Sequence, residues 1–241
     1  MKRSVKKLFA ALFAVCILTL SMPLASFASS FEDVPADAWY ADAVNWCGEK
    51  GIMAGMGEGK FSPSTYVTRA QITVAMCKRG FANLEETSGI NLFSDVLPGS
   101  WYYEAIQWCA DKWIITGIGG GLFDPNSTLT REQLAVVIYN FTNNTSWRDP
   151  DDIDKTPKPF DVSQRGDLSV YSDASEISDW AEEAMSWAVG IGMMTGTSET
   201  TIAPKGLCSR AELAMIIYKY TQAYLVEFAA IEADNQPVPV Q

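Results

Sequence analysis

Three arginines occur where an α-helix disfavours a positive charge. Arg69, Arg131 and Arg210 each follow a threonine or serine at a predicted helix start. The partial positive charge of a helix N-terminus makes a cation there unfavourable by roughly 0.3–1 kcal/mol. A guanidinium beside free helix N–H groups can, however, bind a carboxylate or a phosphate. The three arginines are therefore candidate anion-binding residues, assisted by the N–H groups of the helix start.

An internal ion pair is the alternative use of each arginine. The carboxylates that could accept it are Asp33, Asp95 and Asp173. The same aspartates can instead cap a turn, which is a common role for this residue type. Hydroxyl and Gln or Glu side chains flank each arginine at the spacing of a capping box, which predicts how the helix begins. These boxes are Thr68–Gln71, Thr130–Gln133 and Ser209–Glu212.

The arginines belong to an ordered pattern that occurs three times. Each copy begins with an aromatic residue and an aspartate, continues through two tryptophans, a glycine and a proline, and ends at the arginine. The aspartate precedes the arginine by 36, 36 and 37 residues in the three copies. A spacing kept so closely predicts one supersecondary unit used three times.

Two further sets of repeated residues are candidates for ligand contact. The first tryptophan of each copy starts a predicted helix, where it can stack on a sugar ring or pack into the core, and core packing is the favoured interpretation from the residue type. These tryptophans are Trp39, Trp101 and Trp180. The repeated glycine can stop a helix at positive φ or permit close approach of a ligand, and the helix stop is the favoured interpretation. These glycines are Gly55, Gly117 and Gly196.

Each copy is predicted to form a helix, a loop and a second helix. The second tryptophan lies mid-helix on an apolar stripe and is expected in the core. These residues are Trp46, Trp108 and Trp187. No segment alternates with period two over a strand length, so an all-α fold is expected. One such unit buries too little apolar surface to be stable alone. The three units are therefore expected to form one pseudo-threefold assembly.

The sequence also predicts segments outside the repeats. A basic start and a short apolar run with small residues near Ala28 are typical of a signal peptide. A polar, acidic linker separates the second and third repeats, and a polar tail follows the third. The predicted boundaries are 1–28 for the signal, 29–82, 83–142 and 170–224 for the repeats, 143–169 for the linker and 225–241 for the tail. No later stretch predicts a transmembrane segment.

The charge and composition of the chain argue against several classes of function. Asp and Glu number 29 against 18 Lys and Arg, and loss of the four basic residues in the signal peptide would leave 14. This acidic excess argues against nucleic acid as a partner. There is no histidine, which excludes histidine-based catalysis and histidine metal ligation. We predict no catalytic residue, metal or cofactor. Free or structural thiols are favoured over disulfides for Cys47, Cys77, Cys109 and Cys208.

The ordered motifs Phe-x-Asp-Val, Trp-Tyr, Phe-x-Pro and Thr-Arg-Ala-Glu resemble the S-layer homology (SLH) domain. The resemblance implies a three-pronged helical pseudo-trimer that attaches without covalent bonds to a bacterial cell wall. It further implies that the arginines contact a pyruvylated secondary cell-wall polysaccharide in grooves between repeats. A polar residue before the first tryptophan often adds a contact in this family. Ser100 and Asp179 occupy that position here, whereas the first repeat has Ala38.

The expected function is therefore a secreted, non-enzymatic anchor on the cell wall or S-layer surface. Its expected ligand is an anionic wall polysaccharide or a glycan linked to peptidoglycan. One alternative is a structural protein that assembles into a surface layer through its tryptophan-rich faces. Another is an envelope tether that binds peptidoglycan. A partner cargo or self-association is compatible with each of these functions.

Overall fold

The computed structural model describes residues 31–79, 90–145 and 162–234, and the side chains of the last helix as far as residue 225. The predicted signal peptide, the acidic part of the linker at 146–161 and the end of the tail lie outside the described residues. No described helix combines the length and hydropathy needed to cross a membrane.

The described residues form six α-helices and three single-turn 3-10 helices. The α-helices are α1 (Ala41–Glu49), α2 (Arg69–Arg79), α3 (Tyr103–Asp111), α4 (Arg131–Asn144), α5 (Glu182–Gly190) and α6 (Arg210–Asp234). The 3-10 helices are Leu168–Val170, Ala174–Glu176 and Asp179–Ala181. Within the described ranges the backbone pairs only through isolated β-bridges, without a β-strand. The predicted all-α fold is confirmed.

The helices pack across repeats. The first helix of each repeat lies mainly against the second helix of a different repeat, so that α1 packs on α6, α3 on α2 and α5 on α4. Each repeat thus covers the apolar face of another repeat. This exchange explains why one unit alone would leave its core exposed.

The predicted core tryptophans lie in these helix pairs. Trp108 and Trp187 are buried, while Trp46 is half-buried against the ring of Tyr218. The residue after each of these tryptophans is small because the partner helix approaches closely there. The Cys47 Sγ contacts the carbonyl oxygen of Ala214 in α6. All four cysteines of the repeats are free and buried, as the sequence favoured.

Backbone hydrogen bonds close the three repeats into a ring. Val67 N–H donates to Cys208 O (2.9 Å), Cys208 N–H donates to Leu129 O (3.2 Å), and Leu129 N–H donates to Val67 O (3.3 Å). These residues directly precede the three capping boxes. The ring therefore joins the starts of α2, α4 and α6 at one place. The three-pronged outline implied by the SLH resemblance stays a prediction.

The repeated aspartates cap a turn within their own repeat, as predicted. The Asp95 carboxylate accepts hydrogen bonds from the N–H groups of Phe123 (2.8 Å) and Asp124 (2.7 Å). Asp33 and Asp173 bind the equivalent Phe-x-Pro and Ile-x-Pro turns in the same way. Burial alone would raise the pKa of Asp95, but these N–H bonds hold it below its usual value of 3.8.

The prediction that the repeated glycines stop a helix at positive φ is wrong. Gly55, Gly117 and Gly196 do not have a positive φ. They are required because the chain folds back on them: a Cβ at Gly117 would lie 2.5 Å from Leu122 O and 2.6 Å from the Phe93 ring. A residue with positive φ does occur just after the first helix of each repeat, but it is not the repeated glycine. These are Gly51, Trp113 and Gly192, with φ of 67°, 57° and 71°.

The aspartate caps predict an acid-sensitive fold. A depressed folded-state pKa stabilises the protein above the unfolded value of about 4, and this contribution is lost as the pH falls through the folded-state pKa. We expect the thermal midpoint, followed by circular dichroism, to fall as the pH is lowered from 5 to 2. Asp95→Asn should reduce this dependence. The control is Asp37→Asn, at an exposed aspartate; equal pH profiles for both variants would contradict the prediction.

The glycine packing predicts an unequal response to alanine. Gly117→Ala should lower the free energy of unfolding by about 3 kcal/mol, because its Cβ meets backbone and ring atoms that cannot both move away. Gly99 is the control, since it has a φ of 85° with open space around it. Gly99→Ala should cost only about 1 kcal/mol from the left-handed backbone. Chemical denaturation measures both, and equal losses would argue against the steric explanation.

Candidate functional site

The capping boxes hold each arginine at the first position of its helix. In the second repeat, Gln133 N–H donates to Thr130 Oγ1 (3.4 Å) and Thr130 N–H donates to Gln133 Oε1 (3.0 Å). The first and third repeats have the same reciprocal pair. The predicted boxes are confirmed. Because they define where α2, α4 and α6 begin, Arg69, Arg131 and Arg210 occupy equivalent places.

The N–H groups at these helix starts are not free to bind an anion, contrary to the prediction. Arg131 N–H donates to Gly206 O (2.9 Å) and Glu132 N–H donates to Pro204 O (3.1 Å). The other two helices make the same bonds to the loop of another repeat. Their donors are Arg69, Ala70, Arg210 and Ala211. The orphan donors of each helix are therefore used to join the repeats.

The arginine side chains make a second set of bonds to the same loops. Arg69 Nε donates to Phe123 O (2.8 Å), and its Nη2 donates to Thr116 O (2.6 Å). Arg131 makes the equivalent bonds to Ile202 O and Thr195 O, and Arg210 to Phe61 O and Ala54 O. These bonds explain why an arginine occurs at a helix start, where a cation is locally unfavourable. Each arginine joins its helix to another repeat.

The arginines are not paired with the repeated aspartates, whose oxygens bind the turns instead. The guanidinium of Arg69 lies 4.6 Å from the ring centre of Phe123, and that of Arg210 lies 4.4 Å from the ring centre of Phe61. Burial lowers the pKa of Arg69, and the nearby Asp124 and Asp95 offset this. An arginine so placed remains charged at neutral pH.

The third guanidinium nitrogen differs between copies. Nη1 of Arg131 lies 3.3 Å from Glu212 Oε1. The corresponding Nη1 of Arg69 and of Arg210 has no hydrogen-bond partner among the described residues. Nη1 is therefore the unengaged guanidinium nitrogen in these two copies; Arg69 is half-buried, and Arg210 is only 3% exposed.

Each arginine lies at a cleft built from all three repeats, which we name after that arginine. One repeat supplies the arginine, a second supplies the glycine loop and the face of its second helix, and a third supplies the first tryptophan. The Arg69, Arg131 and Arg210 clefts have volumes of about 270, 380 and 370 Å³. Their glycines are Gly117, Gly196 and Gly55, respectively.

The first tryptophan of each repeat lies at a cleft, so the core packing that the residue type favoured is wrong for these three positions. Trp39, Trp101 and Trp180 are 62%, 65% and 59% exposed. They line the Arg131, Arg210 and Arg69 clefts in that order. An exposed indole opposite a fixed guanidinium is an arrangement that can accept a flat ring carrying a negative charge.

Some cleft residues were missed by the sequence reasoning. Lys78, Asn140 and Lys219 line the Arg210, Arg69 and Arg131 clefts. Each lies nine residues after the arginine of its own repeat. It also lies seven residues, or two helical turns, after the last residue of the capping box. That spacing was a signal that could have found them. Ser100 and Asp179 are outside the cleft linings, and a role for them in binding stays a prediction.

Comparison with known proteins identifies the family of the three repeats. The S-layer homology domain family matches residues 30–73, 92–135 and 170–214, more than half of the chain. An S-layer protein of Bacillus thuringiensis subsp. finitimus is 28% identical over 232 residues, covering 95% of this chain and 26% of that protein. An exoglucanase, XynX, of Acetivibrio thermocellus is 32% identical over 190 residues, covering 78% of this chain and 16% of the enzyme.

A cellulosome-anchoring protein of Acetivibrio thermocellus is 25% identical over 191 residues, covering 78% of this chain and 39% of that protein. This chain thus spans less than half the length of each of these relatives. On the three family matches, the chain belongs to the S-layer homology domain family.

Proposed function

We propose that this chain is a non-catalytic anchor that binds an anionic secondary cell-wall polysaccharide at the bacterial cell surface. The observation that carries the proposal is the threefold occurrence of a fixed arginine and an exposed tryptophan in the lining of one cleft. The expected ligand group is a sugar with a carboxylate, such as a pyruvylated residue. The surface of the cell wall is the expected location.

The geometry supports a defined way of binding. Two loop carbonyls hold each guanidinium, so its orientation is set before a ligand arrives. Preorganisation of this kind lowers the entropic cost of binding. A ligand carboxylate would then accept from the unengaged Nη1 group in the Arg69 or Arg210 cleft, and the sugar ring would lie against the indole.

The relatives support the anchoring part of the proposal. One is a cellulosome-anchoring protein, and others are S-layer proteins. Enzymes such as the exoglucanase and an amylopullulanase share a stretch of similar length with this chain, which amounts to 16% and 9% of those proteins. A module that recurs in S-layer proteins, in an anchoring protein and in enzymes is what an anchor would be.

A structural role in a surface layer is the second candidate. The match to the S-layer protein of Bacillus thuringiensis subsp. finitimus extends over 95% of this chain. Assembly without any wall polymer, followed by light scattering, would favour this role. A tether that binds peptidoglycan is distinguished by the polymer experiment below.

Tryptophan substitution tests the clefts without disturbing the arginine bonds. Trp101→Ala should weaken binding to purified walls about tenfold, since stacking of a sugar on an aromatic ring contributes on the order of 1 kcal/mol or more. The control is Trp113→Ala, because Trp113 is 72% exposed and lines none of the three clefts. Sedimentation with walls at varied protein concentration measures both affinities. An equal loss for the two variants would reject the cleft as the binding site.

Removal of the polymer tests the class of ligand. Walls treated with hydrofluoric acid to release the secondary polysaccharide should no longer retain the protein. The released polysaccharide should compete for binding to untreated walls. High salt should weaken the interaction, because a charged ligand is screened. Retention on treated walls equal to that on untreated walls would instead favour peptidoglycan as the ligand.

A further inference from the structure

The last residue of each capping box differs in charge between the clefts. Gln71 lines the Arg210 cleft, Gln133 lines the Arg69 cleft and Glu212 lines the Arg131 cleft. All three side chains make the same bond to the backbone N–H at the start of their helix. Exchange of Gln for Glu therefore changes the charge in the cleft while the capping function is kept.

Glu212 places a carboxylate at the binding edge of the Arg131 cleft. Its Oε2 accepts from Ser209 N–H at 2.8 Å, which leaves Oε1 to meet Arg131 Nη1 at 3.3 Å. The Arg131 side chain is only 7% exposed and that of Glu212 27% exposed. An ion pair so shielded from water is stronger than one on the open surface. A ligand carboxylate must displace it or lie beside a like charge.

The Arg210 cleft has the opposite charge balance. Its neutral Gln71 leaves Arg210 Nη1 without a partner among the described residues. Lys78 adds a second cation to the lining, which contains no acidic side chain. The carboxylate that acts electrostatically on Arg210 is that of Asp33, and both of its oxygens accept hydrogen bonds from backbone N–H groups.

In its charge balance, the Arg69 cleft is intermediate between the Arg131 and Arg210 clefts. Its Gln133 is also neutral, but Asn140 stands where the other clefts have lysine. Two carboxylates act on Arg69, those of Asp124 and Asp95, because Asp124 replaces the Ser62 and Ala203 of the other repeats. This cleft therefore has one cation in its lining and one more nearby acid than the Arg210 cleft.

We infer that the Arg210 cleft is the principal site for the anionic ligand, and that Glu212 is a resident counter-ion that competes for the Arg131 cleft. The inference rests on the proposed function and specifies which cleft performs it. The determinants are Gln71 and Lys78 on one side and Glu212 on the other. The ligand class for the Arg210 cleft is a sugar with one carboxylate or two neighbouring negative groups, which two cations can accept.

Reciprocal substitution tests the inference in the full chain. Gln71→Glu should introduce at Arg210 the ion pair now made at Arg131, and should weaken binding of released acidic wall polysaccharide about tenfold. Glu212→Gln should free Arg131 and increase the number of polysaccharide fragments bound at saturation or their affinity. Isothermal titration calorimetry measures both quantities. Both variants retain a capping residue, so unchanged thermal midpoints show that the fold is intact.

Lys78→Gln completes the test. It should weaken binding several-fold, whereas Lys219→Gln, the equivalent change in the Arg131 cleft, should have a smaller effect. If Gln71→Glu and Glu212→Gln both leave binding unchanged while Trp180→Ala, in the Arg69 cleft, weakens it, the ranking of the clefts is overturned and the proposed function stands. If the unaltered chain does not bind the polysaccharide at all, both the ranking and the proposed function fail.

Discussion

The structure depends on one contact made three times: an arginine at a helix start that donates to two carbonyl oxygens in a loop of another repeat. Arg69 reaches Phe123 and Thr116, and the other two arginines make the equivalent bonds. The helix N–H groups beside it bind the same loops. Because each helix start is completed by another repeat, no repeat has its full set of hydrogen bonds alone. The ring of three is thereby the smallest unit that satisfies all of them.

The same arginine also connects the fold with the proposed binding site. The carbonyls that hold it lie in the loop that carries the repeated glycine, and the tryptophan opposite comes from the remaining repeat. Removal of an arginine should therefore affect both stability and binding, whereas the tryptophans and the last capping-box residues are separable from the fold. A site assembled from three repeats also means that variation in one repeat changes more than one cleft.

Local chemistry could be predicted well from the sequence. The capping boxes and the buried Trp108 and Trp187 depend on residues close in the chain or on hydrophobic period, and the structure has them. The aspartates do cap a turn, but that turn lies 28 to 30 residues further along the chain. Errors arose where a distant segment decides the outcome. The glycine Gly117 is needed because Phe93 and Leu122 approach it. The helix N–H groups predicted to be free are bound by carbonyls about 55 to 145 residues away in sequence.

The sequence by itself determined the helices, their starts and the threefold repetition, because period, capping and spacing act within a few turns of chain. It also identified the arginines, since a cation at a helix start is locally unfavourable and asks for a distant partner. Only the tertiary structure decided which repeat supplies that partner and which tryptophan meets which arginine. The physical reason is that each repeat's helices exchange across the ring, so residues adjacent in the pattern belong to different clefts. The charge of each cleft, too, is a sum over three repeats that no single motif contains.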